Sequence, residues 1–489
     1  MTVGRFSIGD GCVVEGVRGA IGFRALAKHV AGWRDYLVAH DVRVLGLLAE
    51  NSPEWLTCDL GARAAGVACV PLPPFFSDGQ LAHVLDTASI DTVAVSPAQR
   101  IIALDRGFKA IQTHAGLTVV QRIVKRPEAI PAGTGKITFT SGSTGTPKGV
   151  CLGDEAVMSL AAVLREALEP LRIRRHLSVM PYAMLLENVA GAYAAIMAGA
   201  TVIAPPMSEI GFATDGRFEP ERLLQCLQQS QPESLILLPE LLKALVEMRE
   251  SGARLPTSLK FVAVGGGRVG AQLVERARAS GIPAFEGYGL SECASVVSLN
   301  LPGAERAGSA GRPLPHQRVR IANDGEICVA GNSMLGYLGC AVVERAIATG
   351  DLGEFDSDGF LYVRGRKKNQ FITSFGRNVN PEWPEALLLQ SPALRQAAVF
   401  GEALPGNVAV LVPSPGEADA AIEQAITHAN QELPGYAHVS AWLRASAPFS
   451  AANGQATANG RLKRAAIESA YGGRFQDVLR EATCHESQP

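Results

Sequence analysis

The chain has 489 residues, with 45 Lys plus Arg against 47 Asp plus Glu, a formal charge of −2. That balance excludes the basic footprint of a nucleic-acid binder or of a protein drawn to an anionic membrane surface. With 47% hydrophobic and 19% charged residues, the chain can bury sizeable cores, and at roughly 100–200 residues per domain it predicts two to four of them.

The 9 cysteines (Cys12, Cys58, Cys69, Cys151, Cys226, Cys293, Cys328, Cys340 and Cys484) stand singly, with no C-x-x-C. An odd, scattered set argues against a disulfide framework and against a zinc site of paired thiolates. The start, MTVGRFSIGDG, has no basic segment followed by an apolar run, so no secretory leader is expected. The longest apolar stretch, Val189 to Ala204, stops at Pro205. It is shorter than the ~18–20 residues of a membrane span and reads as a buried helix running into a strand. The expectation is a reduced, cytoplasmic protein without a membrane span.

In chain order, Phe23–His40 places Leu26, Val30, Trp33 and Leu37 on one helical face. Val42–Leu48 reads as a strand covered on both faces, Trp55–Ala65 as helix, and Ala68–Leu72 and Thr92–Val95 as strands. Leu177–Met180, Thr201–Ala204, Ser234–Leu238, Phe261–Val264 and Pro283–Glu286 repeat the pattern, with helical stretches between. Such alternation predicts an α/β fold of mostly parallel sheets with helices on both faces. From Pro302 the short strands Val319–Ile321, Glu326–Val329 and Phe360–Val363 predict a small β-rich subdomain. After Arg366, Lys367, Lys368 and Asn369 a smaller α+β unit begins, with helices near Pro381–Gln390 and Glu417–Glu432, and Ser450–Gly460 reads as loop. The predicted domains are 1–368 and 369–489.

Two glycine signals compete. Gly265-Gly266-Gly267-Arg268-Val269-Gly270 contains G-x-G-x-x-G between a strand and a helix, with Glu286 about twenty residues on, the context of a dinucleotide-binding turn. Upstream, Thr140-Ser141-Gly142-Ser143-Thr144-Gly145-Thr146-Pro147-Lys148-Gly149 packs hydroxyls and glycines against one lysine. Glycine lets the backbone approach a polyphosphate, hydroxyls and N–H groups donate to its oxygens, and Lys148 adds charge. It is not a Walker loop, because Pro precedes Lys148 and Gly follows it.

Thr140–Gly149 resembles the phosphate loop of the adenylate-forming superfamily, which includes acyl- and aryl-CoA ligases, peptide-synthetase adenylation domains and luciferases. Further segments match in the family's order. Gly265–Gly267 is similar to the glycine turn before the adenine pocket, in place of the dinucleotide reading. Tyr288-Gly289-Leu290-Ser291-Glu292 matches Y-G-x-[TS]-E, Thr349-Gly350-Asp351 matches T-G-D, and Asp358-Gly359 through Gly365-Arg366 matches D-G-…-G-R. Gly376 to Pro381 with Glu385 resembles the start of the mobile C-terminal domain.

The resemblance implies that ATP activates a carboxylate as acyl-AMP, which then passes to a thiol. It places Thr140, Ser141, Gly142, Ser143, Thr144, Gly145 and Lys148 around the β- and γ-phosphates. Glu292 would hold Mg²⁺, a hard cation suited to carboxylate and phosphate oxygens. Gly265, Gly266, Gly267, Tyr288, Gly289 and Ser291 would border adenine, and Asp351, with Arg366 nearby, would accept the ribose hydroxyls. The thiol would be that of CoA or of a separate phosphopantetheinylated acyl carrier protein, since no carrier segment is recognisable. The acid would be fatty or aromatic, a hydroxybenzoate for example. A catalytically weak nucleotide sensor or scaffold on the same fold is the alternative.

Three departures stand out. The family's P-x-T-x-x-G-K segment reads Gln455-Ala456-Thr457-Ala458-Asn459-Gly460-Arg461-Leu462-Lys463. Arg461 holds the position of the lysine that bridges the α-phosphate, and Lys463 follows two residues later. Arginine keeps the charge but not the reach. Asn369 stands at a hinge where many members carry Asp, and Met184 replaces His in the P-L-x-H-x-x-E-like run Pro181–Glu187.

Overall fold

A computed structural model describes residues 2–3, 6–74, 76–96, 107–124, 130–140, 147–212, 218–267, 269–340, 346–374, 377–457 and 460–486. Backbone contacts divide the chain into two compact units, 1–267 with 274–319 and 329–347, and 268–273 with 320–328 and 348–489. The expected cut at Lys368/Asn369 falls within the second of these units, in the 3-10 turn Lys367–Asn369. Across it, the Glu382 carboxylate accepts from the Arg366 N–H at 2.5 Å and from Asn369 Nδ2 at 2.6 Å. The strand ending at Arg366 is thereby tied to the helix Glu382–Leu388.

The first unit holds two large sheets. One has Ala68–Pro71, Val44–Leu48 and Thr92–Val95 running parallel at its centre. Thr134–Thr140 joins Ala68–Pro71 in parallel, pairs antiparallel with Lys148–Gly153, and Gly336–Tyr337 closes that edge. The other sheet runs parallel from Ala284–Leu290 through Phe261–Val264, Ser234–Leu237, Arg175–Leu177 and Thr201–Ile203 to Val13–Gly16. Antiparallel strands finish both ends. The parallel centre is as predicted; the antiparallel edges are not visible in the periodicity.

Helices Phe23–Ala39 and Pro53–Ala65 pack tightly, and Trp33, fully buried, lies against Gly61, where a Cβ would collide with it. The apolar run Val189–Ala204 lies in a π-helix, Leu186–Tyr193, then the helix Ala194–Met197 and the strand Thr201–Ile203. Among the described residues no helix is long and apolar enough to cross a membrane.

In the second unit Leu394–Phe400, Asn407–Pro413 and Val439–Arg444 form one sheet. Their alternation sorts the core. Val399, Ala409 and Leu411 face the helix Asp419–Glu432, while Ala398, Val408 and Val410 face Ile467, Tyr471 and Phe475 of the last helices. The unit thus buries both faces of its sheet.

Candidate active site

The hairpin Thr134–Gly153 presents the phosphate-loop residues. Thr140 ends one strand and Lys148 opens the next, directly opposite in register, so the Ser/Gly-rich segment is held at both ends. Ser141, Gly142, Ser143, Thr144 and Gly145 lie outside the described residues. Thr140 is half-buried and Lys148 exposed.

Glu292 sits in a 3-10 turn, Ser291–Cys293, after the strand Ala284–Leu290. The chain reverses there at a cost. Ala294 and Ser295 have φ of 59° and 106°, left-handed values that cost a residue with a Cβ about 1–3 kcal/mol each. Gly289 is obligatory in the same reversal, because a Cβ there would run into the Ser295 carbonyl.

Between Lys148 and Glu292 stands Tyr337. Its phenol donates to Glu292 Oε1 at 2.9 Å, and Lys148 Nζ lies 5.8 Å from its ring centroid. Burial and the Glu292 charge push the phenol well above its ordinary pKa, so it remains a donor through the neutral range. Tyr337 belongs to none of the recognised motifs. Its strand is two residues long, too short for periodicity to reveal.

The glycine turn follows the strand Phe261–Val264. Gly265 N–H donates to Leu237 O at 3.1 Å, Gly266 has φ +82°, and Gly266 and Gly267 are exposed. A Cβ on Gly265 would make ordinary contact with Gly287 O, 3.4 Å away in the strand that carries Tyr288. Tyr288 and Ser291 are half-buried.

In the second unit Asp351, 5% exposed, pairs with Arg366 across the strands Ile347–Phe355 and Leu361–Arg366, Nε to Oδ1 at 2.8 Å. Arg366 also donates to Thr349 O at 3.1 Å, and Thr349 Oγ1 accepts from the Asp351 N–H. These contacts set the carboxylate's direction.

The departing C-terminal segment forms a hairpin. Ala456 bridges Leu462, Thr457 N–H donates to Arg461 O at 2.8 Å, and Gly460 turns with φ +80°. Ala458 and Asn459 lie outside the described residues. Arg461 and Lys463 are both exposed. The next residue, Arg464, is committed inward, donating to both oxygens of Glu385 and to Val399 O. Burial lowers the pKa of Lys368, and the positive charges of Arg366 and then Arg461 lower it further. Arg461 therefore belongs to the electrostatic neighbourhood of Lys368 and Arg366.

Glu187, from the run containing Met184, is fully buried. It meets His176 Nε2 at 3.0 Å, and His176 Nδ1 meets Ser234 Oγ at 3.0 Å. Its role is to tie the π-helix to the sheet. Burial raises the thiol of Cys12 to about 12 and that of Cys151 to about 11.

A divalent cation fits the donors present. Among the described residues no group of three or more His, Cys, Asp or Glu could hold a metal alone. Glu292 offers one hard carboxylate, and Mg²⁺ ordinarily completes such a shell with phosphate oxygens and water.

The AMP-binding enzyme family model matches residues 12–338, and the AMP-binding enzyme C-terminal domain model matches 368–482. A 2-succinylbenzoate–CoA ligase of Bacillus subtilis (strain 168) is 29% identical over 55% of this chain and 56% of its own length. An indoleacetate–CoA ligase of Aromatoleum aromaticum is 30% identical over 57% and 56%. A long-chain-fatty-acid–CoA ligase of Mycobacterium bovis is 36% identical over 34% and 29%. The chain spans about half the length, or less, of these curated relatives. Among solved structures, the anthranilate CoA ligase AuaEII with anthranoyl-AMP superposes with a TM-score of 0.77 at 17% identity, covering 94% of this chain and 93% of that one. The O-succinylbenzoate Coenzyme A synthetase of Bacillus subtilis with ATP and magnesium gives 0.74 at 23% identity, covering 93% and 96%. With the family models matched over most of its length, the chain belongs to the AMP-binding enzymes, the adenylate-forming superfamily.

Proposed function

We propose that the protein activates a carboxylic acid with ATP and transfers the acyl group to a thiol. The observation that carries this reading is the Lys148–Tyr337–Glu292 arrangement, which gathers one ammonium and one carboxylate from distant motifs around a single aromatic side chain.

In the first step a carboxylate oxygen of the acid attacks the α-phosphorus of ATP. The bond to the β-phosphate bridging oxygen breaks and pyrophosphate leaves. Lys148 and the hydroxyl-rich segment from Thr140 to Thr144 neutralise the β- and γ-phosphates, stabilising charge that shifts onto the leaving group. Glu292 would hold Mg²⁺, which would supply Lewis-acid neutralisation of phosphate oxygens. The Gly265–Gly267 turn and Tyr288 receive adenine, and Asp351, oriented by Thr349 and Arg366, accepts the ribose hydroxyls. Arg461 supplies the positive charge on the α-phosphate. In the second step a thiol attacks the acyl carbon, its proton is released, and AMP leaves.

CoA is the favoured thiol and an aromatic acid the favoured substrate. The support is the recurrence of aryl-acid–CoA ligases among the relatives and folds above. ATP–pyrophosphate exchange over benzoic, arylacetic and aliphatic acids tests the first step, followed by transfer to CoA or to a phosphopantetheinylated carrier. Exchange with an aryl acid and thioester formation on CoA are the expected results. ATP binding without exchange for any acid would favour the sensor reading, for which Arg461 in place of lysine is the one supporting departure.

A further inference from the structure

The assignment of Lys148 and Glu292 leaves unexplained why these opposite charges do not neutralise one another. Tyr337 answers this from its position in the sheet. Its two-residue strand is stitched on one side to the strand of Lys148, through Leu338 N–H to Gly149 O and Leu335 N–H to Cys151 O, both 2.8 Å. Just before that strand, Met334 N–H donates to Glu292 O at 2.7 Å. The backbone that delivers Tyr337 therefore also fixes the two residues it separates. Its ring faces the ammonium and its hydroxyl caps Oε1 of the carboxylate. Among the described residues Glu292 Oε2 accepts no hydrogen bond, and Lys148 makes no ion pair.

Resting on the proposed adenylation chemistry, we infer that Tyr337 is a positioning residue that keeps Lys148 and Glu292 apart and turns Glu292 Oε2 toward the nucleotide-bound cation. Two physical effects follow. A carboxylate with one oxygen engaged by a fixed donor presents the other in a single direction, so less orientational freedom is lost when a cation binds. An ammonium held over an aromatic face keeps its charge available, whereas an ion pair with Glu292 would spend both charges on each other. The ring and the hydroxyl thus have separable roles.

The test compares wild type, Tyr337→Phe and Tyr337→Ala. Mn²⁺ binding in the presence of ATP is followed by electron paramagnetic resonance, and pyrophosphate exchange is titrated with Mg²⁺. Tyr337→Phe keeps the ring and loses the donor. It is expected to weaken Mn²⁺ binding and raise the half-saturating Mg²⁺ by about tenfold, the usual scale for a hydrogen bond to a charged group. Its KM for the acid and its melting temperature should stay at wild-type values. Tyr337→Ala removes the spacer as well and is expected to raise the KM for ATP further, because Lys148 can then reach Glu292. Wild-type metal binding in Tyr337→Phe overturns the inference while leaving the adenylation reading intact. Equal losses in metal binding, acid KM and melting temperature would show a merely structural residue and overturn it too. If wild type itself binds no Mn²⁺–ATP, the adenylation reading fails, and the role of Tyr337 fails with it.

Discussion

Two lysines sit on one hairpin and live in opposite worlds. Lys136 is buried, with Nζ 2.8 Å from both Asp59 oxygens and 2.5 Å from Asn188 Oδ1, while Asn188 and Tyr193 satisfy Asp59 further. Lys148 is exposed and rests against an aromatic ring. The second unit repeats the contrast within four residues: Arg464 is locked onto buried Glu385, and Arg461 stands exposed at the hairpin turn. In each unit a cation tied to a buried carboxylate fixes its element, while a cation close by in the chain is exposed at the surface. A buried cation costs stability to leave unpaired, whereas an exposed one costs little and can be reserved for a ligand.

The largest expected effect breaks the buried half of this contrast. Lys136→Met leaves Asp59 as an unpaired buried carboxylate and should destabilise the first unit by about 3–5 kcal/mol, read as a lowered urea midpoint. Adding Asp59→Leu should recover much of that loss, since an apolar replacement of both partners removes the desolvation penalty. If Lys136→Met unfolds at the wild-type midpoint, the pair is not anchoring the hairpin.

Lys148→Ala should do the reverse. Its melting temperature should stay within about 2 °C of wild type, since surface changes alter stability little. Pyrophosphate exchange should fall about 10²–10³-fold, the usual loss when one positioned charge is removed from a transition state. Exchange within threefold of wild type would remove Lys148 from the chemistry.

The second unit offers a sharper version. Arg461→Ala should impair adenylation while sparing thiol transfer from supplied acyl-AMP, and Arg461→Lys should retain or raise activity. If Lys463→Ala shows that split and Arg461→Ala does not, the bridging charge belongs to Lys463. Neither exchange should shift the melting temperature as Arg464→Met does, because Arg461 and Lys463 are exposed whereas Arg464 holds a buried carboxylate.

The smallest effect concerns a titratable side chain packed without a carboxylate. His114 stacks on Tyr36 at 4.7 Å. Burial, then the nearby His40 and His29, lower its pKa below the ordinary 6.5. The unfolded chain therefore takes up a proton that the folded one refuses. The stability His114 contributes is complete above about pH 6.5 and is lost as pH falls through its lowered folded pKa, by at most about 1.4 kcal/mol per pH unit. Melting curves between pH 7.5 and 5 should flatten in His114→Phe; an unchanged slope would assign the acid sensitivity elsewhere.

Much of this was legible in the sequence, for identifiable reasons. Thr92–Val95, Phe261–Val264 and the helix Phe23–Ala39 fall where their patterns put them, because an apolar run or a three-to-four repeat leaves a short chain few alternatives. The strand expected at Leu177–Met180 lies instead at Arg175–Leu177. There the buried centre is His176, whose partner Glu187 makes a polar residue behave as core. Lys148, Glu292 and Asp351 stand out in the sequence as candidates because each sits in a short motif. Tyr337 was not, since what makes it matter is sheet pairing between three segments far apart in the chain. Arg464 and Arg461 look equivalent in sequence; the pairing of Arg464 with Glu385, on a different element, is not readable there.

The cross-strand register of Thr140 with Lys148 also decides where the chain can change its length. Residues added between these two positions lengthen only the connection, and doubling a loop costs roughly 0.6 kcal/mol. A single residue inserted within Lys148–Gly153 is different. Side chains alternate along a strand, so the insertion would exchange buried Val150 and Leu152 for their neighbours or turn Lys148 to the opposite face. Insertions between Thr140 and Lys148 should therefore cost pyrophosphate exchange but little stability, whereas insertions from Lys148 onward should cost stability as well, a boundary that insertion scanning of the hairpin can map residue by residue.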